Sequence, residues 1–277
     1  MKNSYLIALF FTIFVIGTSF SQDKLKGNRE ITTEEREIAE FDKIEVIDNV
    51  EVELLYNENQ DLKVKADSNL LNAIITEVND GILTIKTSTK ITRKKELKII
   101  IQVNNYLTEI NAYNNAKIKT TNVLNIDSLT VNAFDNADFS LKLNAKIVTV
   151  NAKKNSDLNL EILTNDLFVN TIQNSAIKGN VNSQNTFISL TEKSDISFKG
   201  NSENLELKAI GNGHFIGKEF SIKNAIVNTE NNADAFINAS ETIDISTINT
   251  SEVYIYSNPK ITITNFLDKA SIHKREL

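Results

Sequence analysis

From about residue 107 onward, apolar residues recur two apart in short bursts, and the bursts themselves recur. Leu129, Val131 and Ala133 precede a polar corner, and Phe139 and Leu141 follow it. The same spacing returns at Val148, Val150, Ala152 with Leu158 and Leu160, at Leu167, Val169, Thr171, and at Leu205, Leu207, Ala209 after Ile196 and Phe198. It returns again at Ile243, Ile245, Thr247 with Val253 and Ile255. Alternation of this kind puts one side of a strand inward. The small residue after each corner marks the period: Ala116, Ala137, Ser156, Ser175, Ser194, Gly213, Ala233, Ser251 and Ala270, at intervals of 18 to 21 residues. A fixed period near twenty is the signature of a stacked solenoid, whose units bury their apolar faces on one another. The pattern predicts an all-β, right-handed parallel β-solenoid with a repeat of about 19 residues, each rung being strand, corner, strand, corner. About nine rungs spaced ~4.8 Å apart make a rod roughly 40 Å long. Val131, Val150, Val169, Ile188, Leu207 and Val227 fall in one interior column.

Ahead of the rungs the pattern is less regular. Gln22 to Glu40 is too polar to assign, and a leading edge strand is one reading. Ile44, Val46, then Val50, Val52, Leu54, then Leu62, Val64, Ala66 alternate with charged residues and predict strands. In Asp67 to Val78, residues Leu70, Leu71, Ile74, Ile75 and Val78 share a helical face. This predicts a short amphipathic helix capped by Asp67 or Ser68 and stopped by Asn79-Asp80-Gly81. Ile82 to Ile85 reads as a strand, Lys90 to Lys95 as a basic loop, and Glu96 to Val103, with Ile99, Ile100 and Ile101 consecutive, as a strand buried on both faces. Residues 22–277 thus form one domain, with an amino-terminal β-rich cap containing one short helix and the first strands at 22–104, and regular rungs at 105–277.

Residues 1–21 carry one early Lys, an apolar run from Tyr5 to Ile16, and small residues Ser19 and Ser21, the grammar of a secretory signal peptide cut before Gln22. An uncleaved anchor is the competing reading, but the run is shorter than the ~20 residues a spanning helix needs. The mature chain is expected to be exported to the periplasm, outer surface or medium, with no membrane span after cleavage. The chain has no Cys, so no disulfide staples the fold and no lipidated Cys follows the leader; the protein is not a lipoprotein on this reading. The closing Lys274-Arg275-Glu276-Leu277 resembles a retention tetrapeptide, but the Ile, Lys and Asn bias is that of an AT-rich bacterial genome. A net charge of -6 argues against nucleic acid as a partner.

Little in the chain points to catalysis. Asn115, Asn136, Asn155, Asn174, Asn212 and Asn232 at the corners, and Asn111, Asn132, Asn151, Asn170 and Asn228 on the first strand, form structural ladders in which stacked amides bond up the column. Asp138, Asp157, Asp195 and Asp234 follow the marker and raise the chemistry of a cation site or a glycosidase acid pair, but Lys117 and His214 interrupt the column. The two histidines, His214 and His273, lie three rungs apart, too far for a shared site. No phosphate-binding Gly loop, zinc constellation or other cofactor motif is present. Arg93, Lys94 and Lys95 form a candidate basic patch, read first as a solvated loop and second as a site for an anionic ligand. Phe236, Tyr254 and Tyr256, with Ile216 one rung earlier, face outward by alternation and form a candidate partner-binding platform. In the competing reading, the tail from Asn265 to Leu277 folds over them as a cap.

Glu35-Arg36-Glu37, Phe41-Asp42-Lys43-Ile44-Glu45-Val46, Val50-Glu51-Val52-Glu53-Leu54, Asn69-Leu70-Leu71, Asp80-Gly81-Ile82-Leu83-Thr84-Ile85 and the later Val253-Tyr254-Ile255-Tyr256-Ser257-Asn258-Pro259-Lys260 resemble the bacterial family named putative auto-transporter adhesin, head GIN domain. The resemblance spans nearly the whole mature chain and implies a secreted all-β solenoid, mainly of the Bacteroidota, of unassigned activity. That family usually has Gly-Ser or a Gly pair at its corners; this chain has Asn-Ala or Asn-Ser, and Asn also tolerates left-handed φ. The expected function is a non-catalytic, adhesin-like binding or scaffold module acting on a glycan or a cell-surface protein. A β-helical polysaccharide lyase or hydrolase is the alternative, and self-association through the end rungs is a third use of the fold.

Overall fold

A computed structural model describes residues 24–277; the leader at 1–21 and its cut before Gln22 lie outside the described residues. The strands run in chain order as β1 (Lys24–Lys26), β2 (Ile31–Arg36), β3 (Lys43–Val46), β4 (Glu51–Tyr56), β5 (Asp61–Asp67), β6 (Ile74–Asn79), β7 (Ile82–Thr87), β8 (Lys90–Arg93) and β9 (Leu97–Val103). The first complete rungs follow: β10 (Glu109–Ala112), β11 (Lys117–Thr120), β12 (Leu124–Asn125), β13 (Ser128–Phe134) and β14 (Asp138–Lys153). Then come β15 (Asp157–Ile172), β16 (Ala176–Glu192), β17 (Asp195–Gly211), β18 (His214–Asn231) and β19 (Asp234–Asn249), and last β20 (Glu252–Tyr256), β21 (Lys260–Phe266) and β22 (Ser271–Lys274).

Strands β3, β4, β7 and β9 to β22 stack in parallel as a β-solenoid of about 9 turns with a spacing of about 19 residues. The interior column expected from the repeat is present: Val131 pairs with Val150, Val150 with Val169, Val169 with Ile188, Ile188 with Leu207 and Leu207 with Val227. All six are buried. Stacking begins within the cap, because β3 and β4 lie in parallel register against β10 and β11, and against β7 and β9 on their other side. Volume is balanced between rungs. Phe198 is fully enclosed and sits in register with Gly179, where a Cβ would come within 3.3 Å of the ring. The glycine leaves the space that the phenyl ring fills.

The corners differ from the amide ladder read in the sequence. Asn114 and Asn115, Asp135 and Asn136, Lys154 and Asn155, and Gln173 and Asn174 are consecutive left-handed pairs, with φ between 54° and 68°. Rung-to-rung bonding at these corners runs through backbone: Asn115 N donates to Asp135 O at 3.1 Å, Asn136 N to Lys154 O at 3.0 Å and Asn155 N to Gln173 O at 3.0 Å. At Asn212 and Asn232 alone among the six does amide bond amide, at 3.0 Å. Asn is used here for its tolerance of positive φ. The small marker completes the corner: the buried Ser156, Ser175 and Ser194 hydroxyls donate to Lys153 O, Ile172 O and Thr191 O. On the first strand the amides do bond, from Asn132 to Asn111 at 2.7 Å, Asn151 to Asn132 at 2.8 Å and Asn170 to Asn151 at 3.0 Å. Ser189 and Lys208 then occupy the column, which separates Asn228, in the same column, from the bonded amides.

The helix expected at Asp67 to Val78 is a short 3-10 helix, Ser68–Ala73, and Ile74 onward is strand β6, antiparallel to β7. Asp67 makes no cap bond; it is buried and accepts a hydrogen bond from Lys95 N at 2.8 Å. Two rules of local structure decide the outcome. Ile74, Ile75, Thr76 and Val78 are all β-branched and favour strand. Asp80-Gly81, with φ of 49° and 77°, is a two-residue hairpin turn of the kind that needs positive φ at both positions, and so joins β6 to β7. Residues Lys90 to Lys95 are also only partly loop, since β8 pairs in parallel with β1. Ile100 is half-buried between Glu53 and Lys63, so β9 has one fully buried face and one shared with charged neighbours.

The two ends of the rod differ. At the amino-terminal end, antiparallel β2, β5 and β6 close the sheet. The tail covers Tyr254 in part, through His273 and Arg275, but as a stacked strand and not as a separate cap. It forms a further rung, with β21 beside β19 and β22 beside β20, because Ile261, Ile263 and Ile272 continue the interior columns. With no rung beyond them, Ile261, Ile263, Phe266 and Leu267 are 45%, 51%, 51% and 56% exposed.

Candidate partner-binding face

On the outer surface of the last rungs, register places Ser197, Ile216, Phe236, Tyr254 and His273 in one column. Phe236 and Tyr254 stack with centroids 4.5 Å apart and planes 3° off parallel, and Tyr254 and His273 stack at 4.8 Å and 17°. The Arg275 guanidinium carbon lies 5.2 Å from the Tyr254 centroid. Ile216 is exposed at the lower end of the column, and the three rings are half-buried. A centroid separation close to the rung spacing means that the ring faces look along the rod and their edges look outward. Tyr256 stands two residues on, beside the column, in register with Asn238.

A polar column runs next to it: Asp195, His214, Asp234, Glu252 and Ser271. His214 Nδ1 is 2.9 Å from Asp195 Oδ1, and its Nε2 is 3.4 Å from Asp234 Oδ2. The Tyr254 hydroxyl donates to Glu252 Oε2, and His273 Nε2 is 3.7 Å from the same oxygen. The bond to Glu252 holds the Tyr254 phenol above its ordinary value. Lost hydration raises the Asp234 carboxyl, with His214 opposing and Glu252 adding to the shift. Each histidine therefore sits against carboxylates, a setting that the wide spacing of the pair in sequence did not reveal. His273 and Arg275 were legible in principle, since His273 is 19 residues beyond Tyr254.

Asp138 and Asp157 are in register, but Ala176 follows and separates them from Asp195. Among the described residues no group of three or more His, Cys, Asp or Glu is placed to hold a metal ion. At the far end of the rod, Arg93 pairs with Lys26, Lys94 Nζ donates to Asn49 O at 2.8 Å, and Lys95 offers its backbone N–H to Asp67. No helix among the described residues is long and apolar enough to cross a membrane.

Comparison with known proteins supplies a family and a fold. The chain matches the family described as putative auto-transporter adhesin, head GIN domain, over residues 40–176 and 161–259. No curated protein matches it. Among solved structures, a putative adhesin from Parabacteroides merdae is 17% identical with a TM-score of 0.70, covering 91% of this chain and 99% of that one. A putative adhesin from Parabacteroides distasonis is 16% identical with a TM-score of 0.67, covering 92% and 100%. A protein from the same species described as a putative lipid binding protein is 17% identical with a TM-score of 0.62, covering 91% and 100%.

Proposed function

The chain belongs to the putative auto-transporter adhesin, head GIN domain family, and from that premise we propose that it is an exported, non-catalytic, adhesin-like binding module whose contact face is the column of Ile216, Phe236, Tyr254 and His273. The observation that carries this reading is the ring stack itself, half-exposed and flanked by Tyr256 and Arg275. Sugars stack on ring faces, but the faces of Tyr254 are occupied by Phe236 and His273. What remains open is a row of aromatic edges with an adjacent guanidinium and phenol, the residue types that dominate protein contacts. A cell-surface protein is therefore the favoured partner over a glycan. The enzymatic alternative has less behind it: Asp138 and Asp157 are both exposed, and Ala176 separates them from the next carboxylate of their column.

The test uses Tyr256→Ala with Arg275→Ala, which leaves the Phe236–Tyr254 stack in place. The variant should lose roughly tenfold or more of its retention on target cells while melting within about 2 °C of the parent. Equal retention by variant and parent would remove the face from consideration. Release of reducing ends or unsaturated sugars from an acidic polysaccharide, abolished by Asp138→Asn with Asp157→Asn, would establish an enzyme instead.

A further inference from the structure

We propose that the β1–β8 ribbon and the grooves beside it bind an acidic polysaccharide, a chain carrying uronate carboxylates or sulfates. The ribbon sets like charges opposite one another: Lys24 pairs with Lys90 and Lys26 with Arg93. Such pairs across ~4.8 Å destabilise a sheet and call for a counter-charge. Arg29, Lys94 and Lys95 bring the local total to seven cations, in a protein whose net charge is -6. Among the described residues, none of the seven is in an ion pair. Along the rest of the rod, lysines with a carboxylate partner, such as Lys63, Lys98, Lys119, Lys142, Lys146, Lys154, Lys199 and Lys223, are interspersed with lysines that have none, so what sets the ribbon apart is seven such cations gathered in one place.

Five of the seven cations, Lys26, Arg29, Lys90, Arg93 and Lys94, line a concave surface. One groove of about 700 Å³ has Lys26, Arg29, Arg93 and Lys94 in its walls with Asn28 and Thr92. A second of about 520 Å³ has Lys90 and Lys94 with Asn49 and Asn115, and Asp48 is the one carboxylate lining either. Lys94 belongs to both, so the grooves adjoin and suit an extended ligand rather than a single ion. Burial lowers the Lys94 ammonium, with Glu51 and Glu96 opposing that shift and Lys117 reinforcing it; a bound anion would reverse it.

The frame is fixed before any ligand arrives. Gly27 N donates to Arg93 O at 2.8 Å, Thr92 Oγ1 to Leu25 O at 3.2 Å, and Asn69 Nδ2 to Lys26 O at 2.9 Å. Little ordering cost then remains for binding. A membrane surface is the less suitable source of anions: Leu25 and Ile91 pack against the core, so the ribbon has no apolar anchor to insert beside its charges. Amide and hydroxyl groups in the walls match sugar hydroxyls.

The test is binding of the mature protein to immobilised polygalacturonate and chondroitin sulfate, with dextran as neutral control and vesicles of phosphatidylcholine and phosphatidylglycerol as the lipid arm. Binding to at least one acidic chain is expected, with affinity falling steeply with salt. Lys26→Gln with Arg93→Gln should weaken it roughly tenfold or more, and should melt at the parent's temperature or above it, since a repulsive pair is removed. If that double variant misfolds, Lys90→Gln alone should show the same direction of effect. The proposal fails if neither acidic chain binds at low salt, if dextran binds equally, if the variants bind like the parent, or if the anionic vesicles bind and the polysaccharides do not.

Discussion

Phe236 and Tyr254, eighteen residues apart in the chain, lie ring on ring at 4.5 Å and 3°. Each hides a face of the other, so the outward column has a structural share as well as an exposed edge. Removing the middle ring breaks both stacks at once. Tyr254→Ala should cost about 1–2 kcal/mol beyond lost burial, seen as a fall of about 2–6 °C in Tm. Tyr254→Phe keeps the rings and loses only the hydroxyl bond to Glu252, and should recover most of that loss. An unchanged Tm in the alanine variant would mean that the stack contributes nothing to the last rungs.

Two carboxylates should respond to pH with opposite sign. Glu53 is held below its ordinary value first by its hydrogen bond to Lys98, and both residues are half-buried. A depressed folded pKa adds stability above the unfolded value near 4.5, and that stability is lost as pH falls through the folded value. Lys98→Met should therefore destabilise clearly at pH ~7 and much less at pH ~3. Asp234 is raised by lost hydration, so the folded state holds its proton more tightly and stability falls as pH rises from 3.8 through the folded value. Asp234→Asn should leave Tm equal or higher at pH ~7, with the gain gone by pH ~3. Melts of both variants across that range check the two signs.

The asymmetry of the ends has a dynamic consequence. In a solenoid each rung is held by its neighbours, and the last rung has only one. At the amino-terminal end, β2, β5 and β6 close the stack, while β21 and β22 are covered on one side only. Backbone amides of β21 and β22 should exchange hydrogen fastest among the strands, and those of β15 to β17 slowest. Uniform protection from β15 through β22 would show that something covers the end rung in solution, a second copy included.

The interior was legible because it is one-dimensional. Val131, Val150 and Val169 recur at a fixed interval, so a single alternation rule buries them all, and Val169→Asp would leave an unpaired charge in the column at a cost of several kcal/mol. The cap was less legible because its strands are closed by single-use contacts. Leu70, Leu71, Ile74 and Ile75 satisfy helical spacing, yet the β-branched pair and Asp80-Gly81 turn the segment into a hairpin. Of the candidate face, Ile216, Phe236 and Tyr254 follow from alternation, whereas the positions of His273 and Arg275 depend on the tail forming one more rung. The like-charge pairing of Lys26 and Arg93 joins segments more than sixty residues apart, and no periodicity announces it.

The corners allow a test between two explanations of the recurring Asn. If side-chain amides held the rungs together, any residue without an amide would weaken the stack. The geometry assigns the role to the backbone: Asn155 has φ of 62° and its N–H donates to Gln173 O. Glycine meets that demand with no Cβ penalty, so Asn155→Gly should be neutral to within about 0.5 kcal/mol or slightly stabilising. Valine has the same backbone N–H but is β-branched, and a left-handed β-branched residue is strained by about 1–2 kcal/mol. Asn155→Val should accordingly lower Tm by several degrees, and Asn155→Gly with Asn174→Gly together should remain near the parent. Chemical denaturation of the three variants decides it: a glycine variant as unstable as the valine variant would return the role to the amide, and would make the corner ladder a side-chain device after all.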